Sequence, residues 1–196
     1  PERFYLIFTR PQWGSWLVKG AFIIAGYSLV LAAHLLNATL GTGPHRLLAL
    51  PGLILAALTA IYTAYLFAQA KARDLWQSPV LPAQLIVQAL LAGAGVLALA
   101  APVLEPDIQR PLLWVVGTTS LAHLLLVWGE TTLTHVTAHA ALATREMTRG
   151  RFRRFFWAGV GGLVAGLLAP WAGLVVIPLV LLGLVAYEHS YVQGGQ

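Results

Sequence analysis

From Phe155 to Tyr187 the chain carries no Asp, Glu, Lys, Arg or His. Water excludes such a run, and a bilayer accepts a backbone only where its N–H and C=O groups are satisfied internally, in helices or closed barrels. A transmembrane helix needs about 20 predominantly apolar residues to cross about 30 Å. This run is too long for one span and is split by "APWAG" at 169–173, so it reads as a hairpin of two short helices, 151–169 and 171–190. Four more apolar runs precede it, at 15–37, 47–69, 79–104 and 111–143. The expected fold is all-α: a polytopic transmembrane bundle of six predicted spans, forming one membrane domain over 1–196.

Composition agrees with a membrane protein. Of 196 residues, 58% are hydrophobic and 10% charged, and the mean hydropathy is +0.75; a soluble domain carries roughly 25% charged residues. The formal charge of +5 does not point to nucleic acid, because the basic residues lie in short gaps between apolar runs, where they report orientation. With the 143–153 loop inside, Arg3, Arg10, Lys19, Lys71, Arg73, Arg145, Arg149, Arg151, Arg153 and Arg154 are cytoplasmic, and only Arg46 and Arg110 lie outside. Both termini are then expected on the cytoplasmic side. Trp13, Trp16, Trp76, Trp114, Trp157 and Trp171 fall near predicted helix ends, as interfacial aromatics do, whereas Trp128 lies deeper. The start, "PERFYLIFTRPQWGSW", has no signal-peptide pattern. The absence of Cys excludes disulfides, Cys-ligated zinc, iron–sulfur clusters and c-type haem attachment within this chain.

The fourth predicted span contains the polar residues that need explaining. At 100° per residue, Thr119, His123, Glu130, Thr134 and Thr137 share one face, while Thr131, His135 and His139 fall on another. Ionisable groups at membrane depth are costly and mark functional positions by default. A helix polar on two faces is expected to contact protein or water on both. Glu130, His123, Thr134, His135 and His139 are therefore candidates for a proton relay centred on the glutamate. The competing structural reading is that Glu130 hydrogen-bonds neighbouring helices and the histidines are satisfied near the interface.

Other chemistries find less support. His135 and His139 stand one turn apart on one predicted helix and cannot clamp a haem from both sides; His34 with His123 is the remaining bis-His pair. "HVTAH" lacks the glutamate of HExxH. "GVGGLVAG" at 159–166 follows no strand, so its glycines read as helix-packing positions, not a nucleotide loop. No GxSxG is present. Neither haem nor metal is expected in this chain.

Four stretches, taken in order, resemble the NrfD-like family, which includes the polysulfide reductase membrane subunit and the paired membrane subunits of alternative complex III. "RPQWGSWLVKG" (10–20) resembles its Arg-Pro-x-x-x-Ser-x-x-x-x-Gly signature, and "YTAYLFAQAKARDLWQSPVLP" (62–82) its Tyr-Thr-Gly…Trp-Asn-x-Pro-x-Leu-Pro pattern. The glutamate helix, basic loop and "FFWAGVGGLVAGLLAP" (155–170) resemble a later region, and "YVQGGQ" the C-terminal Tyr-Val-x-Ala-Gly-Gln. Each motif alone is weak; four in order are specific. Ala64, Gln77 and Gly194 depart conservatively from the pattern. Family members commonly have eight or more spans, so the resemblance implies that this sequence corresponds to the third span onward.

The resemblance implies a membrane anchor exchanging electrons between a quinone pool (menaquinone or ubiquinone) and an extrinsic iron–sulfur subunit, itself paired with a molybdopterin or multihaem cytochrome subunit. A paired homologous membrane subunit and membrane lipid complete the expected partners, and the location is a bacterial or archaeal cytoplasmic membrane. In the family the quinone lies toward the outer side, where His34, Asn37, His45 and Arg46 are the polar residues available here to meet quinone carbonyls. The alternatives are a proton-coupled transporter, a non-catalytic scaffold of a respiratory complex, and a b-type cytochrome anchor.

Overall fold

The computed structural model describes residues 5–41, 45–133 and 137–196, without the side chains of Phe8 and His45. These residues form helices and no strand. They fall into two compact units divided between Ala70 and Lys71.

The first unit has the single turn α1 (Leu6–Thr9) and two long helices, α2 (Trp16–Leu40) and α3 (His45–Ala68). The long pair runs antiparallel. The Trp16 N–H donates to Gln69 Oε1 at 3.3 Å, the Trp16 and Tyr65 rings stack at 4.3 Å, and farther along Gly26 faces Leu55 and Gly52 faces Val30. Gly20 lies so close under the Tyr62 ring that a β-carbon there would collide with it. Helix α2 ends at Gly41, whose φ of 66° places it in the left-handed region that favours glycine at a helix C-terminus.

The second unit begins with a 3-10 turn, Asp74–Gln77, followed by α4 (Leu81–Leu104), α5 (Gln109–Thr132), α6 (Ala138–Thr148), α7 (Arg153–Gly166), the short α8 (Ala169–Ala172) and α9 (Ile177–Gly194). Its core packs Leu91, Ala94 and Ala98 of α4 against Leu113 and Val116 of α5, Leu163 of α7, and Ile177 and Val180 of α9. Helices α7 and α9 touch backbone to backbone. A β-carbon on Gly162 would meet Gly183 Cα at 2.7 Å, and one on Gly159 would meet Tyr187 Cβ at 2.7 Å. Glycine stripes permit such approach where no hydrophobic force draws helices together in lipid.

Two differences from the sequence expectation bear on the site. The predicted span 111–143 is not one helix: α5 stops at Thr132, Leu133 is extended, and Thr137, also extended, caps a new helix by accepting the Ala140 N–H on its side-chain oxygen at 3.2 Å. Of the six predicted spans, five have counterparts among the described residues that are long and apolar enough to cross a membrane. The other, 151–169, is the 14-residue α7. At 1.5 Å per residue it is about 21 Å long, less than the about 30 Å hydrocarbon core. It ends early because Pro170 opens α8 and Gly173, with φ 70° and ψ −147°, turns the chain as only glycine does readily.

A buried carboxyl beside a cavity

The buried residues of α5 form one stripe, Val116, Ser120, His123, Val127 and Glu130, at alternating spacings of four and three. Leu121, Leu125 and Trp128 on the opposite side are exposed. The helix is thus polar toward α4 and α9 and apolar outward. Of the residues that gave the expected second polar face, Thr131 turns its hydroxyl onto its own helix, to the Val127 carbonyl at 2.8 Å, His139 is on α6, and His135 lies outside the described residues.

Glu130 is 6% exposed, and its partners are uncharged. Gln84 Nε2 of α4 donates to Glu130 Oε2 at 2.7 Å, and the Ser78 side chain also hydrogen-bonds the carboxyl. Tyr191 Oη of α9 lies 3.0 Å from the Leu75 carbonyl and 3.5 Å from Glu130 Oε1. Its single hydroxyl hydrogen can go to Leu75, leaving the oxygen to accept from a protonated carboxyl, or to the carboxylate itself. The arrangement therefore accommodates both protonation states of Glu130.

Beside the carboxyl is a cavity of about 400 Å³ whose wall includes Glu130, Asp74, Gln77, Ser78, Thr137 and Ala140. The antiparallel helices bring to this end the N-termini of α4 and α7 and the C-termini of α5 and α9, together with Lys71, Arg73, Arg145, Arg149, Arg151, Arg153 and Arg154.

A second polar cluster lies two turns away, about 10 Å along α5. His123 is fully buried, with Nε2 3.2 Å from Gln88 Nε2 of α4. The amide donates, so this ring nitrogen accepts and the imidazole proton sits on Nδ1. Gln88 also reaches Glu188 of α9. Tyr187 joins the clusters: its hydroxyl receives a Gln84 Nε2 contact at 3.4 Å, and its ring meets His123 edge-on, 4.9 Å between centroids at 83°. Gln84 Oε1, Ser120 Oγ and His123 Nδ1 are buried without a hydrogen-bond partner among the described residues.

Of the residues singled out in the sequence, the structure brings together Glu130 and His123. Thr119 turns its hydroxyl back onto its own helix, to the Val115 carbonyl at 2.6 Å. Thr134 and His135 lie outside the described residues, and so does the His45 side chain. Thr137 caps α6 at the cavity wall. His139 is exposed on α6, on a different helix from Glu130, and is not stacked with it. On α2, His34 and Asn37 stand one turn apart and half-buried, and His34 Nε2 lies 4.0 Å from where a β-carbon on Gly52 would be. Arg46 is exposed. Among the described residues no three His, Asp or Glu side chains gather as a metal site.

The sequence reading missed Gln84, Gln88, Tyr187, Glu188 and Tyr191. Gln84 and Gln88 are one turn apart in an apolar helix, as are Tyr187 and Tyr191. That spacing was the available signal.

The chain matches the family described as "Polysulphide reductase, NrfD" over residues 1–181. Neither the curated proteins nor the solved structures yield a match. With five helices among the described residues long and apolar enough to cross a bilayer and a family match over most of its length, the chain is an integral membrane protein and belongs to the NrfD, polysulphide reductase, family.

Proposed function

We propose that this chain is the quinone-reactive membrane subunit of a multi-subunit oxidoreductase, passing electrons between the quinone pool and an extrinsic iron–sulfur subunit, with Glu130 at the centre of the accompanying proton exchange. Family membership supports the first half. The second rests on one observation: a buried carboxyl, held by neutral donors two residues before the end of α5, forms part of the wall of a cavity at the basic end of the bundle.

Oxidation of a quinol releases two protons and two electrons, and reduction of a quinone consumes them. The electrons go to or come from the iron–sulfur subunit, which a molybdopterin or multihaem subunit completes; the protons need a path through the helices. On the cavity side, Glu130 takes or gives its proton with Ser78 and Tyr191 holding the carboxyl. On the far side, Gln84, Tyr187, His123 and Gln88 make a polar column, and the spare hydrogen-bonding capacity of Gln84 Oε1 and His123 Nδ1 suits water-carried protons. The outer-side quinone contacts are His34 and Asn37, supported by their one-turn spacing on α2 and by the small Gly52 facing His34; His45 and Arg46 belong to the same proposal. The proposed setting is a bacterial or archaeal cytoplasmic membrane with both chain termini on the cytoplasmic side, consistent with the basic residues gathered at the cavity end.

Glu130→Gln tests this reading, because it keeps size and hydrogen bonding and removes the titratable proton. In the assembled complex we expect slowed quinol turnover or slowed proton movement with normal assembly. Wild-type values of both across pH 6 to 8 would show Glu130 to be structural.

A further inference from the structure

A second concavity lies on the outward side of α5, away from the Glu130 network. It measures about 310 Å³ and is walled by Leu124 and Val127 of α5 and Phe156 and Val160 of α7. Two indoles flank it, Trp128 at 66% and Trp157 at 60% exposure. The Trp157 Nε1–H donates to the Thr148 carbonyl at 3.1 Å, which pins that ring against the end of α6. Thr131, Thr148 and Arg149 form the polar rim.

We infer that this groove binds one anionic phospholipid of the leaflet at the basic end, with the phosphate on Arg149 and an acyl chain along Leu124, Val127 and Val160. Three observations select that occupant. The groove adjoins the face of α5 that presents Leu121, Leu125 and Trp128 outward, where a membrane protein meets lipid. No acidic residue lines it, whereas Arg149 at its rim is exposed, with Arg145 one turn before it on α6, Arg151 after it in the connection and Arg153 and Arg154 at the start of α7. The carboxylate nearest in sequence to Arg149, that of Glu146, is engaged locally, accepting the Arg151 backbone N–H at 3.3 Å. A protein helix seated here would have to bring an acid to Arg149, while an anionic lipid brings its charge and its apolar chain together. Basic side chains near a leaflet attract anionic lipids individually, so one arginine is enough to bias head-group choice.

The test uses the full chain in phosphatidylcholine vesicles doped with acyl-brominated phosphatidylglycerol or, separately, acyl-brominated phosphatidylcholine. Quenching of the Trp128 fluorescence is isolated by subtracting the Trp128→Phe variant. Brominated phosphatidylglycerol should quench at about fivefold lower mole fraction than brominated phosphatidylcholine. Arg149→Gln should abolish that preference, and Arg110→Gln, at the opposite helix end, should keep it. Native mass spectrometry of the intact protein supplies an independent measure: wild type should retain phosphatidylglycerol and Arg149→Gln should lose it. Equal quenching by both lipids in the wild type, a preference that survives Arg149→Gln, or protection of Trp128 from both lipids by another protein chain would overturn the inference. So would competition by millimolar inorganic phosphate without loss of acyl-chain quenching, since it would assign Arg149 to a free anion.

Discussion

Gln84 Nε2 on α4 lies 2.7 Å from Glu130 Oε2 on α5, a hydrogen bond between two buried side chains 46 residues apart in sequence. It ties the hairpin of α4 and α5 together at the cavity end. Removing the amide leaves a buried carboxyl short of a donor, and an unsatisfied buried group costs about 1–3 kcal/mol. Gln84→Leu should therefore lower the unfolding midpoint in detergent. Combined with Glu130→Leu, which removes the group left stranded, the two losses should add to less than their sum, with a coupling of about 0.5–3 kcal/mol. Strict additivity in the thermal or denaturant titration would mean that the bond contributes nothing to stability.

The helix contact between α7 and α9 gives a sharper packing test, because two adjacent glycines have opposite surroundings. A β-carbon on Gly162 would meet Gly183 Cα and the Leu179 carbonyl oxygen, both at 2.7 Å, whereas one on Gly161 meets nothing within 4 Å. Gly162→Ala forces two backbones apart and should cost about 1–3 kcal/mol as overpacking. Gly161→Ala should be neutral or stabilise by up to about 1 kcal/mol through helix propensity. Unfolding midpoints of the two variants, measured side by side, check the pair. The same loss in both would place the contact elsewhere.

Orientation is testable with little interference, since the chain has no native Cys. Arg151→Cys and Arg110→Cys stand at opposite ends of the second unit, in the α6–α7 connection and at the start of α5. The basic-residue bias predicts that a membrane-impermeant maleimide added to intact cells labels Arg110→Cys and spares Arg151→Cys. The reverse pattern would invert the topology and move the cavity to the outer side.

Glu130 and His123 were legible because seven residues make two turns, so ionisable side chains at that spacing share a face whatever surrounds them. The break after Thr132 was not. Thr134 and Thr137 stay in phase with Glu130, and the periodic signal carries through a segment where Leu133 and Thr137 have extended backbone. A capping threonine and a helix-interior threonine look alike until the Ala140 N–H is seen on the oxygen of Thr137. Gln84 and Gln88 were overlooked because an uncharged amide in an apolar helix carries no ionisation cost to flag it. Tyr187 and Tyr191 were passed over for a related reason: aromatics near a helix end look interfacial, and only the fold turns them inward to Gln84 and Leu75.

The last prediction separates two histidines that sequence alone treats as alike. His123 is fully buried, packed edge-on against Tyr187 and bonded to Gln88, whereas His139 is exposed on α6. His123→Ala deletes a ring from the core and removes the imidazole acceptor of the Gln88 amide, leaving it only its contact with Glu188. Cavity formation at a large side chain costs about 2–5 kcal/mol, and the stranded donor about 1–3 kcal/mol more, so this variant should assemble poorly. His123→Asn retains a carbonyl acceptor for Gln88 and should recover part of the stability, yet it cannot exchange a proton as imidazole does. If the column above Glu130 carries protons, His123→Asn will lower proton movement while the complex still assembles. His139→Ala should leave stability within about 0.5 kcal/mol, as surface changes do, and turnover unchanged. The decisive comparison is quinol turnover and proton release of the two variants in one vesicle preparation. Normal proton release in a well-assembled His123→Asn complex would confine exchange to Glu130 and the cavity, and a defect in His139→Ala would reroute it through α6.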